Sequence, residues 1–213
     1  GGARGVTAAC ALALAKAAHP RLVLLGRSRV DVPEPAGAGA DETSIKRALH
    51  AADRGLTPAE LGRRATAILH AREARANIAA LTAAGSEVRY LPVDVADAKA
   101  VEAALTEVRA VWGPITGFVH GAGVIHDRRL VDKTPEQLRA VWATKVGGAL
   151  ALLDATAVDP LRLVCFFSSV AARFGNVGQC DYALANEALN RLAGVEAVRR
   201  GSAAVVRSIG WGP

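Results

Sequence analysis

Cysteine is nearly missing from this chain: its 213 residues include only Cys10, Cys165 and Cys180. An odd count without a Cys-x-x-Cys pair excludes a framework of disulfide bridges and suits a reducing cytoplasm. Cys10 and Cys165 lie in apolar periodic stretches and read as core fillers, whereas Cys180, two residues before Tyr182, is placed to line a cleft. No base stands at a spacing that would make any of the three a nucleophile. Aromatic residues make up only 4%, and the pairs Arg63-Arg64, Arg128-Arg129 and Arg199-Arg200 lack the interleaved aromatics that stack bases. The formal charge of +6 therefore does not describe a nucleic-acid surface; it fits a cationic surface that receives a nucleotide phosphate and an acidic partner protein. No apolar run approaches the roughly 18 residues needed to span a bilayer, so a soluble protein with no membrane association is expected. No charged-then-apolar leader precedes the first motif, although the chain begins inside that motif. His126 has no second ligand at metal-site spacing, so no metal is expected.

What is present is 51% hydrophobic, mostly Ala, Val and Leu, enough for one α/β domain over residues 1–213 with a large core. From Ala8 to Ala18 the chain is small and apolar, as in a helix packed closely on a parallel sheet, and Leu22 to Leu25 reads as a buried strand. The alternation continues with strand Val88–Val93, helix Ala98–Val111, strand Ile115–His120, helix Pro135–Ala157, strand Leu161–Ser168, helix Tyr182–Arg199 and strand Ala203–Ile209. That order predicts a doubly wound parallel sheet. Between about residues 30 and 75 the rhythm breaks. Pro33, Pro35, Gly37 and Gly39 mark a loop, then Glu42–Ala51 and Pro58–Ala84 have helical spacing, with Thr57 as cap and Pro58 as first helical position. This reads as a helical insertion, a surface elaboration after the second strand. In a doubly wound sheet the strand that feeds the glycine turn is central. It is missing here, so the natural polypeptide is expected to continue before Gly1, and also after Pro213, where a substrate lid would begin.

Gly1-Gly2-Ala3-Arg4-Gly5-Val6 opens a helix and resembles a phosphate-binding turn, in which backbone N–H groups and the positive end of the helix dipole meet a pyrophosphate. Glycine-rich turns are common, so the turn alone decides little. Arg27-Ser28 follows the second strand, where an acidic residue would select NADH by bonding the ribose 2′-hydroxyl and an arginine accommodates the 2′-phosphate of NADPH. NADPH is therefore the expected cofactor, the alternative being that Arg27 is a solvated strand-end residue. Arg4 adds a second cation. Asp94-Val95, after the third strand, is placed either to meet the adenine or to cap the next helix.

The chemistry lies further along. Phe167-Ser168-Ser169 ends a buried strand, and Tyr182-Ala183-Leu184-Ala185-Asn186 begins a helix that puts Tyr182 and Asn186 on one face. Reducing a ketone requires a hydride at carbon and a proton at oxygen. A serine hydroxyl and a phenol can hold that oxygen together, but a free tyrosine, with a pKa of about 10, is a weak acid near neutrality. A nearby ammonium stabilises the phenolate, and Lys145 can supply it.

At these residues the sequence resembles the short-chain dehydrogenase/reductase superfamily and, within it, the ketoreductase domains of polyketide synthases and polyunsaturated fatty acid synthases. In the wider superfamily the lysine follows the tyrosine by four residues. In the synthase domains asparagine takes that place and the lysine comes from the preceding helix, as Asn186 and Lys145 do here. Thr144-Lys145-Val146-Gly147-Gly148, Phe167-Ser168-Ser169 and Tyr182-Ala183-Leu184-Ala185-Asn186 are similar to that family's pattern and spacing. His120-Gly121-Ala122-Gly123 resembles its loop beneath the nicotinamide and ribose, and Trp211-Gly212-Pro213 its closing motif. Thr7 departs from the pattern, since a third glycine is commoner there, which implies an altered helix–strand contact.

The resemblance implies a Rossmann-like fold and NADPH-dependent reduction of a 3-ketoacyl thioester held by an acyl carrier protein, within a multidomain polyketide or fatty acid synthase. Tyr182 would donate the proton, Ser169 orient the carbonyl, Lys145 lower the tyrosine pKa and contact the nicotinamide ribose, and Asn186 hold this network or an ordered water. In Val124-Ile125-His126-Asp127, Asp127 matches the most telling residue of the family's Leu-Asp-Asp segment, which accompanies D-hydroxy products; His126 replaces the middle Asp. The opposite class carries Trp eight residues before the tyrosine, where this chain has Phe174. A D-3-hydroxyacyl product is therefore expected. Arg128-Arg129 and Lys133, beyond this loop, form either a face for an acidic carrier or an ordinary solvated basic patch. Two other classes of function remain: a catalytically silent structural reductase-like domain, expected to have lost the tyrosine or the glycine turn, and a module that binds NADPH as a sensor without turnover.

Overall fold

The structure, a computed structural model, describes residues 2–212. Gly1 of the glycine turn and Pro213 of the closing motif lie outside the described residues. The chain divides into two compact units, Gly2–Pro92 and the segment from Val93 onward.

In the first unit, α1 (Gly5–Ala18), β1 (Leu22–Leu25), α2 (Glu42–Ala52), α3 (Pro58–Ala83) and β2 (Val88–Leu91) follow in order. β1 and β2 pair in parallel, Leu22 opposite Val88 and Leu25 opposite Leu91. β2 stops short of the expected Val93 because Pro92 has no N–H to offer a ladder. Small side chains let the helices approach the sheet: Ala3, Ala15, Leu24, Ala74 and Leu81 form one buried core. The inserted α2 has its own core with α3, built from Ile45, Leu49, Ala65 and Ile68. At the start of α3, Thr57 Oγ1 accepts from the Glu60 N–H while the Glu60 carboxylate accepts from the Thr57 N–H, a reciprocal cap with Pro58 at the first position. The loop before α2 is tied to α3, where Arg75 donates to the Val30 carbonyl at 2.6 Å and to Glu34 at 2.6 Å. Arg72 also pairs with Glu34.

The second unit runs α4 (Ala98–Trp112), β3 (Gly117–His120), α5 (Pro135–Trp142), a π-helical turn (Ala143–Gly147), α6 (Gly148–Ala155), β4 (Leu163–Ser169), α7 (Ala171–Phe174), α8 (Cys180–Arg200) and β5 (Val205–Trp211). β3, β4 and β5 form a parallel sheet in that order. β3 begins at Gly117 because the Ile115 N–H is taken at 3.0 Å by the Asp159 carboxylate, which also accepts from Arg109. The core comprises Ala149, Leu153, Leu161, Val164, Phe166, Leu189, Ala193 and Val206, between the sheet and the helices α6 and α8. The fold is thus α/β, with parallel sheets flanked by helices. The alternation predicts one sheet; the described strands form two, with β1 paired to β2 and β3 to β4. Among the described residues no helix is long and apolar enough to cross a membrane.

Candidate active site

Lys145 sits inside the π-helical turn, not in a plain continuation of α5. The Gly148 N–H reaches back five residues to the Ala143 carbonyl, which widens one turn of an otherwise continuous helix. His120, at the end of β3, fixes this turn. Its ring is fully buried, and since a carbonyl only accepts, Nε2 carries the hydrogen donated to the Lys145 carbonyl at 2.8 Å. Burial, and after it the lysine's charge, push the His120 pKa down to about 4, so the ring is neutral.

The lysine side chain is 3% exposed. Its Nζ donates to the Phe167 carbonyl on β4 at 3.1 Å and stands 5.2 Å from the centroid of the Tyr182 ring, within cation–π range. Burial draws the Lys145 pKa down to about 8. Tyr182, on the first turn of α8, packs against the buried cluster of Val141, Val146 and Ala185. One turn on, Asn186 is wholly buried: Nδ2 donates to the Tyr182 carbonyl at 2.8 Å, and Oδ1 is a buried acceptor without a protein partner. Ser168 Oγ donates to the Asn186 carbonyl at 3.1 Å, tying β4 to α8. Ser169, the last residue of β4, accepts the Ala171 N–H at Oγ (3.1 Å), which leaves its own hydroxyl hydrogen for another acceptor. The structure therefore brings Lys145 together with Tyr182, with Asn186 one turn along the same helix and Ser169 at the end of β4. Chemically, this is an ammonium over the ring of a phenol, with an orphaned amide oxygen one helical turn on and a hydroxyl donor at the end of β4.

Val95 is buried, and a side chain at Gly148 would lie 2.8 Å from it. Asp94 accepts the Ala96 N–H at 3.0 Å in a tight local turn, while the cap of α4 is Asp97, whose carboxylate accepts the Ala100 N–H at 3.1 Å. Gly121 and Ala122 follow β3 half-buried, and Gly123 is exposed. Asp127 accepts from Gln179 at 2.8 Å. Phe174, at the end of α7, is 83% exposed. Cys180 is exposed, Cys10 half-buried and Cys165 buried.

The glycine turn belongs to the first unit. Ala3 is buried, Val6 is exposed, and the Gly2 N–H donates to the Leu25 carbonyl at 3.2 Å. Arg4 donates to Glu73 at 2.8 Å, and the same carboxylate accepts the Gly5 N–H at 3.1 Å. Arg4, followed by the Gly5 N–H, holds the Glu73 carboxyl below its ordinary value. Glu73, far along the chain on α3, is not readable from sequence as part of this turn. Arg27 is exposed, and the Ser28 carbonyl accepts from the Tyr90 hydroxyl.

Lys133 does not join the basic surface with Arg128 and Arg129 that the sequence suggests. Its side chain is 2% exposed and pairs with Asp181 at 2.8 Å. A lysine in a polar loop reads as solvated, and the signal that could have corrected this is the acidic Asp181 directly before Tyr182.

The family model described as KR domain matches residues 1–213. The chain is 38% identical over 226 residues to a polyunsaturated fatty acid synthase polypeptide of Thraustochytrium sp., covering 100% of this chain and 8% of that protein. It is also 38% identical over 150 residues to the polyketide synthase ThaG of Burkholderia thailandensis, covering 70% of this chain and 2% of that protein. Among solved structures, an N-terminal ketoreductase from the macrolactin assembly line superposes with a TM-score of 0.75 at 27% identity, over 99% of this chain and 35% of that one. A ketoreductase domain from the bacillaene assembly line superposes with a TM-score of 0.75 at 28% identity, over 100% of this chain and 42% of that one.

Proposed function

The chain belongs to the KR-domain family of polyketide and polyunsaturated fatty acid synthases, and from that premise we propose that it reduces a 3-ketoacyl thioester, borne by an acyl carrier protein, to the D-3-hydroxyacyl thioester with NADPH. What supports this above all is the Lys145 ammonium standing 5.2 Å from the Tyr182 ring centroid, with the unpartnered Asn186 Oδ1 one helical turn away.

The residues present fit a nicotinamide cofactor. Gly5 has φ +56, open space where a side chain would be, and an anion, the Glu73 carboxylate, already on its N–H. Gly1, Gly2, Ala3, Arg4, Gly5 and Val6 would hold the pyrophosphate, with Arg27 and Ser28 on the ribose 2′-phosphate and Asp94 and Val95 toward the adenine. His120, Gly121, Ala122, Gly123, Tyr182 and Lys145 would hold the nicotinamide end. When bound, the cofactor supplies the hydride. Ser169 donates its free hydroxyl hydrogen to the ketone oxygen and holds it beside the phenol. Tyr182 delivers its proton to that oxygen as negative charge develops there, and the Lys145 ammonium stabilises the phenolate left behind. Asn186 Oδ1 accepts from an ordered water that returns the proton. Asp127 and Phe174 set the face of the ketone that is presented.

The chain spans 8% and 2% of two curated relatives that are synthases, which supports neighbouring synthase domains on the same polypeptide and a carrier-protein partner; the thiols of Cys10, Cys165 and Cys180 support a cytoplasmic setting. The reading is tested by NADPH absorbance with a 3-ketoacyl thioester surrogate. Loss of absorbance with a D-3-hydroxy product is expected; NADPH binding without loss would favour the sensor, and neither signal would favour the silent domain. Cofactor choice has its own test. Arg27→Asp is expected to weaken NADPH binding about 10- to 100-fold and to improve NADH, measured as the ratio of kcat/KM for the two. An unchanged ratio would mean that Arg27 is only a solvated strand end.

A further inference from the structure

The segment from Val124 to Lys133 is held against the start of α8 at three points. The Arg128 N–H donates to the Gly178 carbonyl at 3.0 Å, and Gln179 Nε2 donates to Asp127 Oδ2 at 2.8 Å. The third point is internal. Lys133 Nζ donates to Asp181 Oδ1 at 2.8 Å and to the His126 carbonyl at 2.7 Å, with both charged side chains 2% exposed. Asp181 Oδ1 also accepts the backbone N–H of Tyr182 at 2.9 Å. One carboxylate oxygen thus bridges the loop's lysine and the backbone of the tyrosine. Gly178 permits the approach: it has φ +80, and a Cβ there would lie 3.3 Å from the Arg128 nitrogen.

We propose that Lys133 and Asp181 are a positioning pair, which locks the His126–Asp127 stretch in register with Tyr182 and so governs which face of the ketone meets the phenol. This rests on the reductase reading above. A buried ion pair stabilises poorly beside an apolar pair of the same volume, so what it supplies is geometry. The lysine reaches across its loop to the carbonyl one residue before Asp127, and the aspartate reaches forward by one residue to Tyr182. A shift at either end is passed to both. Asp181 Oδ2 is buried without a protein partner, so both contacts of this carboxylate, to Lys133 and to the Tyr182 N–H, run through Oδ1.

The test measures kcat, KM and the enantiomer ratio of the 3-hydroxy product, with NADPH affinity as the check on folding. Lys133→Met is expected to lower kcat on the order of 10- to 100-fold and to erode the enantiomer ratio, while NADPH affinity stays within a few fold. Lys133→Arg should recover much of both. Because a lone buried Asp181 can unfold the chain, a second variant, Lys133→Met with Asp181→Leu, replaces the pair by apolar side chains. It should fold with wild-type thermal stability yet keep the eroded ratio, since the anchor on the His126 carbonyl is still missing. A wild-type kcat and enantiomer ratio in the double variant would overturn the proposal. Wild-type protein that binds NADPH and reduces nothing would instead bring down the reductase reading, and the positioning role with it.

Discussion

Tyr182→Phe is expected to lower the rate of ketone reduction by about 10²- to 10⁴-fold while leaving NADPH affinity within a few fold. The phenyl ring keeps the packing against Val141, Val146 and Ala185, and Asn186 still donates to the same backbone carbonyl, so the fold keeps its contacts and the cofactor loses one hydroxyl among the several groups that would hold it. What is lost is a single hydroxyl, and with it the proton that the developing alkoxide needs. Single-turnover absorbance separates the effects, because a binding defect would appear as a raised NADPH Kd and a chemical defect as a slow step at saturation. A variant that turns over at the wild-type rate would remove Tyr182 from the chemistry and leave the proposed mechanism without its acid.

Lys145→Met is expected to act in two opposite directions. For catalysis it removes the cation that faces the phenolate, at a cost of about 10²-fold or more in kcat. For stability it is expected to help. Burial lowers the Lys145 pKa from 10.5 to about 8, which means that the fold favours the neutral amine. Below pH 8 the folded and unfolded chains both carry the proton and the penalty is fully present; from pH 8 to 10.5 the folded chain releases it first and the penalty fades. A displacement of that size corresponds to about 3 kcal/mol, so Tm at pH 7 should rise by several degrees in the variant and the gain should shrink above pH 8. The wild-type rate should fall as pH rises through about 8, where the ammonium is lost, and Lys145→Arg should move that limb upward. A variant with lowered Tm at pH 7 would show that the ammonium is a net structural contact.

Much of the fold is legible in the sequence because its signals are local. Leu22–Leu25 is a strand to the residue, an apolar run closed by Gly26, and Thr57-Pro58 followed by Glu60 announces the start of α3 through chemistry confined to one turn. Local signals also delimit α8, although it begins at Cys180, two residues before the tyrosine. Strand ends are misread where a side chain far away settles the backbone, as Asp159 does for Ile115. In the candidate site, spacing and resemblance name Lys145, Ser169, Tyr182 and Asn186, whereas Lys133 reads as part of a basic surface and is buried. Its environment is decided by Asp181, distant in sequence, and no window of residues around a lysine reports such a partner. Arg4 and Glu73 repeat the lesson in the other unit. The π-helical turn is invisible because Ala143–Gly148 suits a helix of either pitch.

That widened turn makes the length of the helix a functional quantity. An α-helix advances about 100° per residue, and a wide turn holds one residue more than regular winding needs. Relatives that lacked a single residue between Trp142 and Gly148 could rewind into an unbroken α-helix with every apolar contact of α6 retained, yet their lysine would point elsewhere. A gap of one position in this stretch, trivial by any measure of overall likeness, would therefore separate a reductase from its silent copy.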